Sequence, residues 1–361
     1  MAVDCLVIGG GVIGLTTAWR LAQFGFSVRV CDQAAPGREA SWAGAGILPP
    51  GYPGAMSDPL TQLTARTCEL WPDLAAELRE VTGLDNQFQR CGGLELAIGT
   101  IDELAEYRAQ WTAIGARTEW LEPSAIRELE PEFSGAEAGF LLPDLCQVRN
   151  PRHLQALLRA CELAGVVVSP NCPVTGWASH QGRITAAVTP AEEITAGQFI
   201  VTAGAWSPLL LSQVGVATEI VPVRGQIALL APSSIKLSHV IEREKRYIVP
   251  RLDGRILIGA TEELAGYEKQ NTDEAIAGLM EFGSAICPAL RTAEIEYCWA
   301  GLRPCAVRNR PFIGRVPGRD NLIVATGHFR SGLHLSPATA ELVVKLVQRQ
   351  SLTDAFQAFG F

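Results

Sequence analysis

The sequence lacks several features that mark common classes of protein. In 361 residues, 38 acidic side chains outnumber the 30 lysines and arginines, which gives a formal charge of −8. A nucleic-acid-binding protein needs a basic face to displace counterions from phosphates, so this balance argues against one. No apolar run approaches the roughly 18–20 residues of a membrane helix, and no signal peptide is recognised. We therefore expect a cytoplasmic protein without a membrane span.

Paired cysteines and clustered histidines are also missing. The ten cysteines include no Cys-x-x-Cys pair, and several, such as Cys5 and Cys31, lie in apolar runs. In such runs cysteine behaves as a small hydrophobic residue, so we predict free thiols in a reducing compartment. The five histidines lack the spacing of zinc ligands, and we predict no metal site.

The length and composition favour a folded chain of more than one unit. A length of 361 residues predicts two domains or one large α/β unit. Hydrophobic residues make up 48% of the chain and charged residues 19%, so disorder is not expected.

A strand, a glycine loop, a helix and a second strand open the chain. Residues 3–8 are apolar and predict a buried parallel strand, and residues 9–14 follow with Gly-x-Gly-x-x-Gly spacing. A helical pattern then runs to Gly25, and the second strand, 26–31, ends at Asp32. The glycine motif alone is weak evidence. Its place between the strand, the helix and the acid favours a dinucleotide site over a simple structural turn.

Each part of this motif has a physical role. Gly9 permits the tight turn, Gly11 lets a pyrophosphate approach the backbone, and Gly14 allows the helix to pack closely on the sheet. The helix N-terminus offers N–H groups to the phosphates. Asp32 would accept hydrogen bonds from the ribose hydroxyls. The motif does not by itself distinguish NAD from FAD.

The rest of the chain predicts an interleaved α/β fold. The expected elements are a long small-residue loop at 34–51, a helix over 58–82 broken at Pro72, a strand-like stretch at 88–98, a helix from Asn150 to Gly165, an antiparallel sheet over 220–260, a helix over 272–286, a strand at 322–326 and a helix over 333–349. We expect a Rossmann-like domain formed by 1–84, 146–219 and 303–361. An α+β domain on an antiparallel sheet would comprise 85–145 and 220–302.

Several segments in this order resemble the glycine oxidase and D-amino-acid oxidase group of flavoproteins, and within it the thiamine-pathway glycine oxidases. The segments are GGGVIG at 9–14 with Asp32, ASWAGAGIL at 40–48, VTAGAWS at 201–207, YIVP at 247–250, GAT at 259–261, WAGLRP at 299–304 and GHFRSG at 327–332. The resemblance spans nearly the whole chain. It implies FAD as a non-covalent cofactor and a substrate domain on an antiparallel sheet.

The resemblance also implies which residues bind FAD. The implied set is Gly9, Gly11, Val12, Ile13, Gly14, Asp32, Gln33, Ala40, Ser41, Ala45, Gly46, Ile47, the Val174 backbone, Gly204, His328, Phe329, Arg330, Ser331, Gly332, Leu333 and His334. Residues 328–334 would surround the flavin ring. Backbone N–H groups and a helix N-terminus there would stabilise negative charge on the reduced ring.

The same resemblance implies a substrate site. Arg303 would bind an amino-acid carboxylate through two hydrogen bonds, a geometry that suits guanidinium. Tyr247 would add a hydroxyl donor, and Arg330 would contribute to substrate binding. From the residues alone, Arg303 could equally form an interdomain ion pair and Tyr247 could be a packed strand aromatic.

Two residues depart from the family pattern. Glu262 follows Gly259-Ala260-Thr261, where the oxidases often have an apolar residue near the substrate. If it faces the cavity, the preferred amine could differ from glycine, and if it faces solvent nothing changes. Cys305 lies close to Arg303 but not where related amine oxidases attach flavin.

The implied reaction is hydride transfer from the substrate Cα–H to flavin N5, with no catalytic acid–base side chain assigned. The imine would hydrolyse to a keto acid and ammonia, and O2 would reoxidise the flavin to give H2O2, while the physiological acceptor, O2 or another, stays open. Alternatives on the same fold are a sarcosine, other secondary-amine or D-amino-acid oxidase, or a dehydrogenase. A nicotinamide-dependent dehydrogenase and a non-catalytic flavoprotein also stay open, as does assembly into a homo-oligomer.

Overall fold

Two large β-sheets organise the part of the chain that the structure describes. The structure is a computed structural model that describes residues 2–52, 58–97, 100–134 and 136–361. Its strands are β1 (Val3–Ile8), β2 (Val28–Cys31), β3 (Ile47–Leu48), β4 (Gln89–Arg90), β5 (Gly93–Leu96), β6 (Glu119–Leu121), β7 (Gly139–Leu142), β8 (Cys146–Gln147), β9 (Val167–Ser169), β10 (Gly176–His180), β11 (Arg183–Val188), β12 (Glu193–Val201), β13 (Ile220–Leu230), β14 (Val240–Arg243), β15 (Arg246–Pro250), β16 (Ile256–Gly259), β17 (Ile295–Ala306), β18 (Phe312–Val316) and β19 (Arg319–Thr326). Its α-helices are α1 (Val12–Gln23), α2 (Ala40–Ala43), α3 (Pro59–Thr82), α4 (Ile101–Ala113), α5 (Pro123–Leu129), α6 (Asn150–Leu163), α7 (Ser207–Leu211), α8 (Asp273–Ile286), α9 (Gly332–Val347) and α10 (Asp354–Gln357).

The first sheet has a parallel centre. The parallel strands lie in the order β9, β2, β1, β12 and β19, and antiparallel β10, β11 and β18 extend the sheet. Helices α1, α3, α6 and α9 share a hydrophobic core on one face, which explains why β1 is an almost continuous apolar run. Ile8 is in register with Cys31 and with Val201. The residues that follow these three strands therefore meet at one edge of the sheet.

The second sheet is largely antiparallel. Its strands lie in the order β17, β13, β16, β15, β14, β5, β7 and β6, and β14 and β5 are the parallel pair. On one face the sheet packs against α8 through Leu279 and Ile286. On the other face Phe140 and Val249 pack in a core that includes Ala45, from the loop after α2. This second face is turned towards the edge where the nucleotide motif lies.

The predicted α/β fold class is confirmed, with chain segments alternating between the two sheets. The first sheet takes its strands from 3–31, 167–201 and 312–326, and the second from 93–142 and 220–306. The proposed domain limits stay a prediction, and the one between 302 and 303 falls within β17. Residues 1, 53–57, 98–99 and 135 of those ranges lie outside the described residues.

Three local predictions differ from the structure. Helix α3 continues through Pro72, because Trp71 and Leu74 on either side are buried in the first core and hold the helix in place. The strand-like stretch 88–98 divides into β4 and β5, and its residue 98 lies outside the described residues. Helix α6 begins at Asn150, with Arg149 as its N-cap residue, and ends at Leu163, before the predicted Gly165.

Thiols and helix lengths complete the description of the fold. All ten cysteines carry free thiols. Among the described residues, no helix is both long enough and apolar enough to cross a membrane.

Candidate functional site

A cavity of about 690 Å³ lies between the two sheets. Its volume is within the range of about 300–1,000 Å³ that is usual for sites of small molecules and cofactors. Of the residues predicted to bind cofactor or substrate, the lining includes Gly9, Gly11, Val12, Ile13, Asp32, Gln33, Ala40, Ser41, Ala45, Gly46, Ile47, Val174, Gly204, Tyr247, Arg303, His328, Phe329, Arg330, Ser331, Gly332, Leu333 and His334. Gly14 is the predicted residue that does not line it.

Gly14 lies behind the cavity, where α1 packs on the sheet. A Cβ added at Gly14 would come within 1.9 Å of the Gly9 carbonyl oxygen and 2.7 Å of the Thr202 hydroxyl. Gly9 has a φ of +109°, and a Cβ there would lie 2.5 Å from the Thr202 carbonyl oxygen. The two glycines therefore allow a close approach of helix, turn and β12 that no other residue permits. Thr202 completes this contact and was not anticipated from the sequence.

The N-terminus of α1 opens on the cavity beside Asp32. Gly11 is the N-cap residue, and no side chain caps the helix through it. Asp32 Oδ2 accepts from the Gly10 N–H at 2.7 Å and Oδ1 accepts from the Ala34 N–H at 2.9 Å, which fixes the carboxylate at the edge of the sheet. Ser41 Oγ accepts from the Val12 N–H at 2.9 Å. A helix N-terminus next to a fixed carboxylate suits a pyrophosphate and a ribose.

The loop after α2 is held against the cavity by Arg251. Its Nη2 donates to the Ala45 carbonyl oxygen at 2.6 Å, and its Nη1 donates to Gln147 Oε1 at 2.9 Å. Gly46 has a φ of +76°, and a Cβ there would lie 1.9 Å from the Val148 carbonyl oxygen. Burial lowers the pKa of Arg251 to about 10, so it stays charged at neutral pH. Sequence reasoning missed this residue because it acts across 206 positions of chain.

Two buried histidines anchor the segment 328–334. His328 Nε2 is 3.0 Å from Thr339 Oγ1, and His334 Nε2 is 3.5 Å from Cys68 Sγ. Burial lowers the pKa of His328 to about 3 and that of His334 to about 4. Both imidazoles are therefore neutral at physiological pH. Helix α9 begins at Gly332 within this segment, so its N-terminal turn is presented to the cavity.

Arg303 and Tyr247 converge at the end of the cavity formed by the second sheet. A Cβ added at Gly225 would come within 2.2 Å of Arg303 Nη1, and a Cβ added at Gly259 within 2.6 Å of the Tyr247 ring. Each glycine thus leaves the space that one of these side chains occupies. Arg303 Nη1 donates to the Thr261 carbonyl oxygen at 3.0 Å. Burial raises the pKa of Tyr247, while the Arg303 charge opposes the shift, so the hydroxyl remains a donor at neutral pH.

Glu262 lies beside the end of the cavity that the second sheet forms, and it pairs with cations that line the cavity. Its carboxylate forms an ion pair with Arg330 and another with Lys245, the latter at 3.2 Å. Burial acts to raise the pKa of Glu262, but the hydrogen bond from Lys245 and the charge of Arg330 outweigh it and lower the pKa. Glu262 is therefore anionic at neutral pH. It is a counter-ion of Arg330, while its own side chain is absent from the lining.

Several lining residues escaped the sequence analysis. Among them are Glu242 of β14, Glu244 and Lys245 of the following turn, Gly225 of β13, and Asn150, whose Nδ2 donates to the Ser41 carbonyl oxygen at 2.8 Å. One sequence signal was present, since Glu242 is a charged residue directly after the apolar pair Val240-Ile241. Cys305 is not part of the lining.

The residues at both ends of the cavity fit FAD. The α1 N-terminus, the glycines without room for a Cβ and the fixed Asp32 carboxylate suit the dinucleotide. The small-residue loop 43–46 and the α9 N-terminus provide flat, polar backbone for a ring.

Comparison with known proteins agrees with this geometry. The family model described as DAO, FAD dependent oxidoreductase, matches residues 4–346. A glycine oxidase of Pseudomonas putida is 36% identical over 350 residues, which cover 96% of this chain and 95% of the relative. A bifunctional protein ThiO/ThiG of Synechocystis sp. is 30% identical over 99% of this chain and 53% of its own length.

Solved structures share the architecture. The crystal structure of glycine oxidase from Geobacillus kaustophilus has a TM-score of 0.94 and 29% identity, covering 99% of this chain and 98% of that one. Iminodiacetate oxidase from Chelativorans sp. has a TM-score of 0.90 and 26% identity, covering 99% and 98%.

Proposed function

The chain belongs to the DAO family of FAD-dependent oxidoreductases, and on that premise we propose that it oxidises glycine or a similar small amino acid. The products would be the keto acid, ammonia and, with O2 as acceptor, H2O2. The observation that carries the proposal is the pair Arg303 and Tyr247, which lies at one end of a cavity whose other end holds the dinucleotide motif. A substrate whose carboxylate is bound there would occupy the same cavity as the cofactor.

Binding and orientation are the work of the protein in this reaction. Bound FAD supplies the hydride acceptor for the substrate Cα–H. Arg303 would bind the carboxylate with its planar fork, and the Tyr247 hydroxyl would donate a further hydrogen bond. The amine must be neutral for its lone pair to assist, and a cavity that excludes water favours the neutral form. Holding the substrate in one orientation supplies much of the rate enhancement.

The cofactor roles of the lining residues belong to the same proposal. Asp32 would accept from the ribose, the α1 N-terminus would bind the pyrophosphate, and the run 328–334 would surround the flavin. We extend the proposal to thiamine thiazole synthesis in the cytoplasm, which the likeness to the ThiO/ThiG proteins supports.

Anaerobic mixing with glycine is expected to bleach the flavin absorbance of the purified protein. The expected result follows because the substrate Cα–H gives its electrons to the flavin when O2 is absent. Readmitting O2 should restore the colour and yield one H2O2 per turnover.

Sarcosine and D-alanine in parallel separate the related activities, since the substrate that bleaches fastest identifies the preferred amine. Flavin that dithionite reduces but none of the three amines bleaches would contradict the proposal. Protein without flavin absorbance would favour a nicotinamide-dependent dehydrogenase.

Replacing Glu262 with glutamine is expected to lower KM for glycine by about two- to five-fold, the range of a partly exposed ion pair. The substitution removes the counter-ion of Arg330, which leaves that guanidinium free to attract a substrate carboxylate. Steady-state oxygen consumption measures the change.

The matched control is Glu263→Gln. Glu263 is the neighbouring acid, but it pairs with Arg224 and Gln226 away from the lining. A KM that stays the same in Glu262→Gln, or falls equally in both variants, would remove Arg330 from substrate binding.

A further inference from the structure

Two glutamates lie side by side on the cavity face of the second sheet. Glu242 on β14 is in register with Glu95 on β5 on one side and with Tyr247 on β15 on the other. Residues in register on neighbouring strands project from the same face of a sheet. Glu95, Glu242 and Tyr247 therefore form a row that ends at the substrate site, and Glu242 lines the cavity.

Neither carboxylate has a direct ion-pair or hydrogen-bond partner in the part of the chain that the structure describes. Among residues 2–52, 58–97, 100–134 and 136–361, no cation or hydrogen-bond donor pairs with Glu95 or Glu242. The nearby cations Arg330 and Lys245 pair with Glu262 instead. Glu95 is only 4% exposed. A buried carboxylate without a partner is strongly disfavoured in its charged form. The row thus has either to retain a proton or to bind a cation from outside the protein.

The raised pKa values of Glu95 and Glu242 are those expected of carboxylates without a cation partner. Burial raises the pKa of Glu242 to about 7, with the Arg330 charge opposing the shift. Burial, and then the Glu242 charge, raise the pKa of Glu95 well above its ordinary range. The pair therefore retains a proton at neutral pH, and a bound ammonium would favour its ionised form.

Glu242, an acid, and Arg303, a base, both line the cavity. Arg303 extends over Gly225 on β13, while Glu242 lies on β14, beyond Tyr247 in the strand order. Side chains in register on neighbouring strands are about 5 Å apart at Cβ. Strands β16 and β15 lie between β13 and β14, so the two positions are three strand spacings, about 14 Å, apart at the backbone. The Glu242 side chain, the aliphatic chain of the ligand and the contacts at its two ends would together span that distance.

The reacting amine is a poor partner for this carboxylate. That amine must be neutral when the Cα–H leaves, and an adjacent carboxylate would favour its protonated form. We propose that Glu242, backed by Glu95, binds a second ammonium group, on the side chain of a diamino acid whose carboxylate lies on Arg303. This inference rests on the function proposed above and names its substrate class.

The test compares each diamino acid with its neutral isostere. Racemic 2,4-diaminobutyrate is matched with norvaline, and racemic ornithine with norleucine. Calorimetric titration of the holoenzyme gives the two dissociation constants, and anaerobic flavin bleaching gives the two reduction rates. One of the two diamino acids should bind about 10–100-fold more tightly than its isostere, the range of a charged hydrogen bond. In E242Q this ratio should fall to about 1.

Two variants control for charge and for folding. Glu274→Gln removes the same charge from an exposed position on α8, which packs on the opposite face of the second sheet away from the lining, and should keep the wild-type ratio. Glu242→Asp keeps the charge but withdraws it by one methylene, so its ratio should lie between those of wild type and E242Q. If E242Q does not fold, the ratio in Glu242→Asp tests instead whether Glu242 binds the second ammonium group.

The outcomes separate this inference from the proposed function. A wild-type ratio near 1, with glycine still bleaching the flavin, overturns the second-ammonium site and leaves the amino-acid oxidase proposal intact. A ratio that survives in E242Q also overturns it. If binding shows the expected ratios but no amino acid bleaches the flavin, the site stands and the oxidase proposal fails.

Discussion

Replacing Arg303 with alanine is expected to raise KM for glycine by about 10²–10³-fold, which corresponds to the loss of a bidentate charged pair. The flavin spectrum should stay as in wild type, because Arg303 lies at the opposite end of the cavity from the dinucleotide motif. Steady-state oxygen consumption gives KM, and the absorbance spectrum of the purified protein reports the flavin.

Three variants make this prediction specific. Arg303→Lys keeps the charge but loses the planar fork, so its KM should be intermediate. Gly225→Ala leaves residue 303 an arginine but should still raise KM. The added Cβ would lie 2.2 Å from Arg303 Nη1 and displace the guanidinium. Arg310→Ala removes the same charge from an exposed position and is the control. An unchanged KM in Arg303→Ala would exclude this residue from the site.

Local motifs made the nucleotide end of the cavity predictable. Gly9, Gly14 and Asp32 lie within 24 positions of one another, and the strand, turn and helix that relate them are short. Such an arrangement is encoded by neighbouring residues, so spacing alone predicts its geometry. The antiparallel sheet was predicted in outline from the alternation over 220–260 in the same way.

The substrate end depends on contacts between distant strands. Gly225 and Arg303 are 78 positions apart in the chain. Gly225 leaves room for Arg303 only because β13 pairs with β17. Glu95 is next to Glu242 only because β5 joins β14 as a parallel neighbour. Nothing in the local pattern of either strand specifies that pairing. The family resemblance indicated Arg303 and Tyr247, but a resemblance says nothing of a residue such as Glu242, which it does not include.

The open question about Glu262 shows the same limit. The sequence places it three residues after Gly259 and leaves its direction undecided. Its partners Lys245 and Arg330 come from other segments, so only the fold could show that it acts as their counter-ion. Under the proposed function, Arg330 would therefore meet a substrate carboxylate in competition with Glu262, whereas Arg303 donates to a backbone carbonyl and has no such competitor in the described residues.

Replacing Gly14 with alanine is expected to yield protein that lacks flavin and is less stable by about 1–3 kcal/mol, the usual effect of overpacking. The added Cβ would meet the Gly9 carbonyl oxygen at 1.9 Å. That oxygen belongs to the turn at the end of β1, and the backbone cannot rotate away as a side chain would. Helix α1 must therefore shift, and its N-terminus moves with it. Flavin absorbance and thermal unfolding of the purified variant measure both effects.

Gly278→Ala separates this contact from the general effect of adding a methyl group to a helix. Gly278 lies in α8, and a Cβ there would meet nothing within 4 Å. Alanine favours the helix over glycine by about 1 kcal/mol, so this variant should keep its flavin and unfold at the same or a higher temperature. Because Gly14 does not line the cavity, flavin loss in Gly14→Ala would show that the position of α1 controls cofactor binding. Full flavin content with wild-type stability would show instead that the helix can adapt and that the close contact is dispensable.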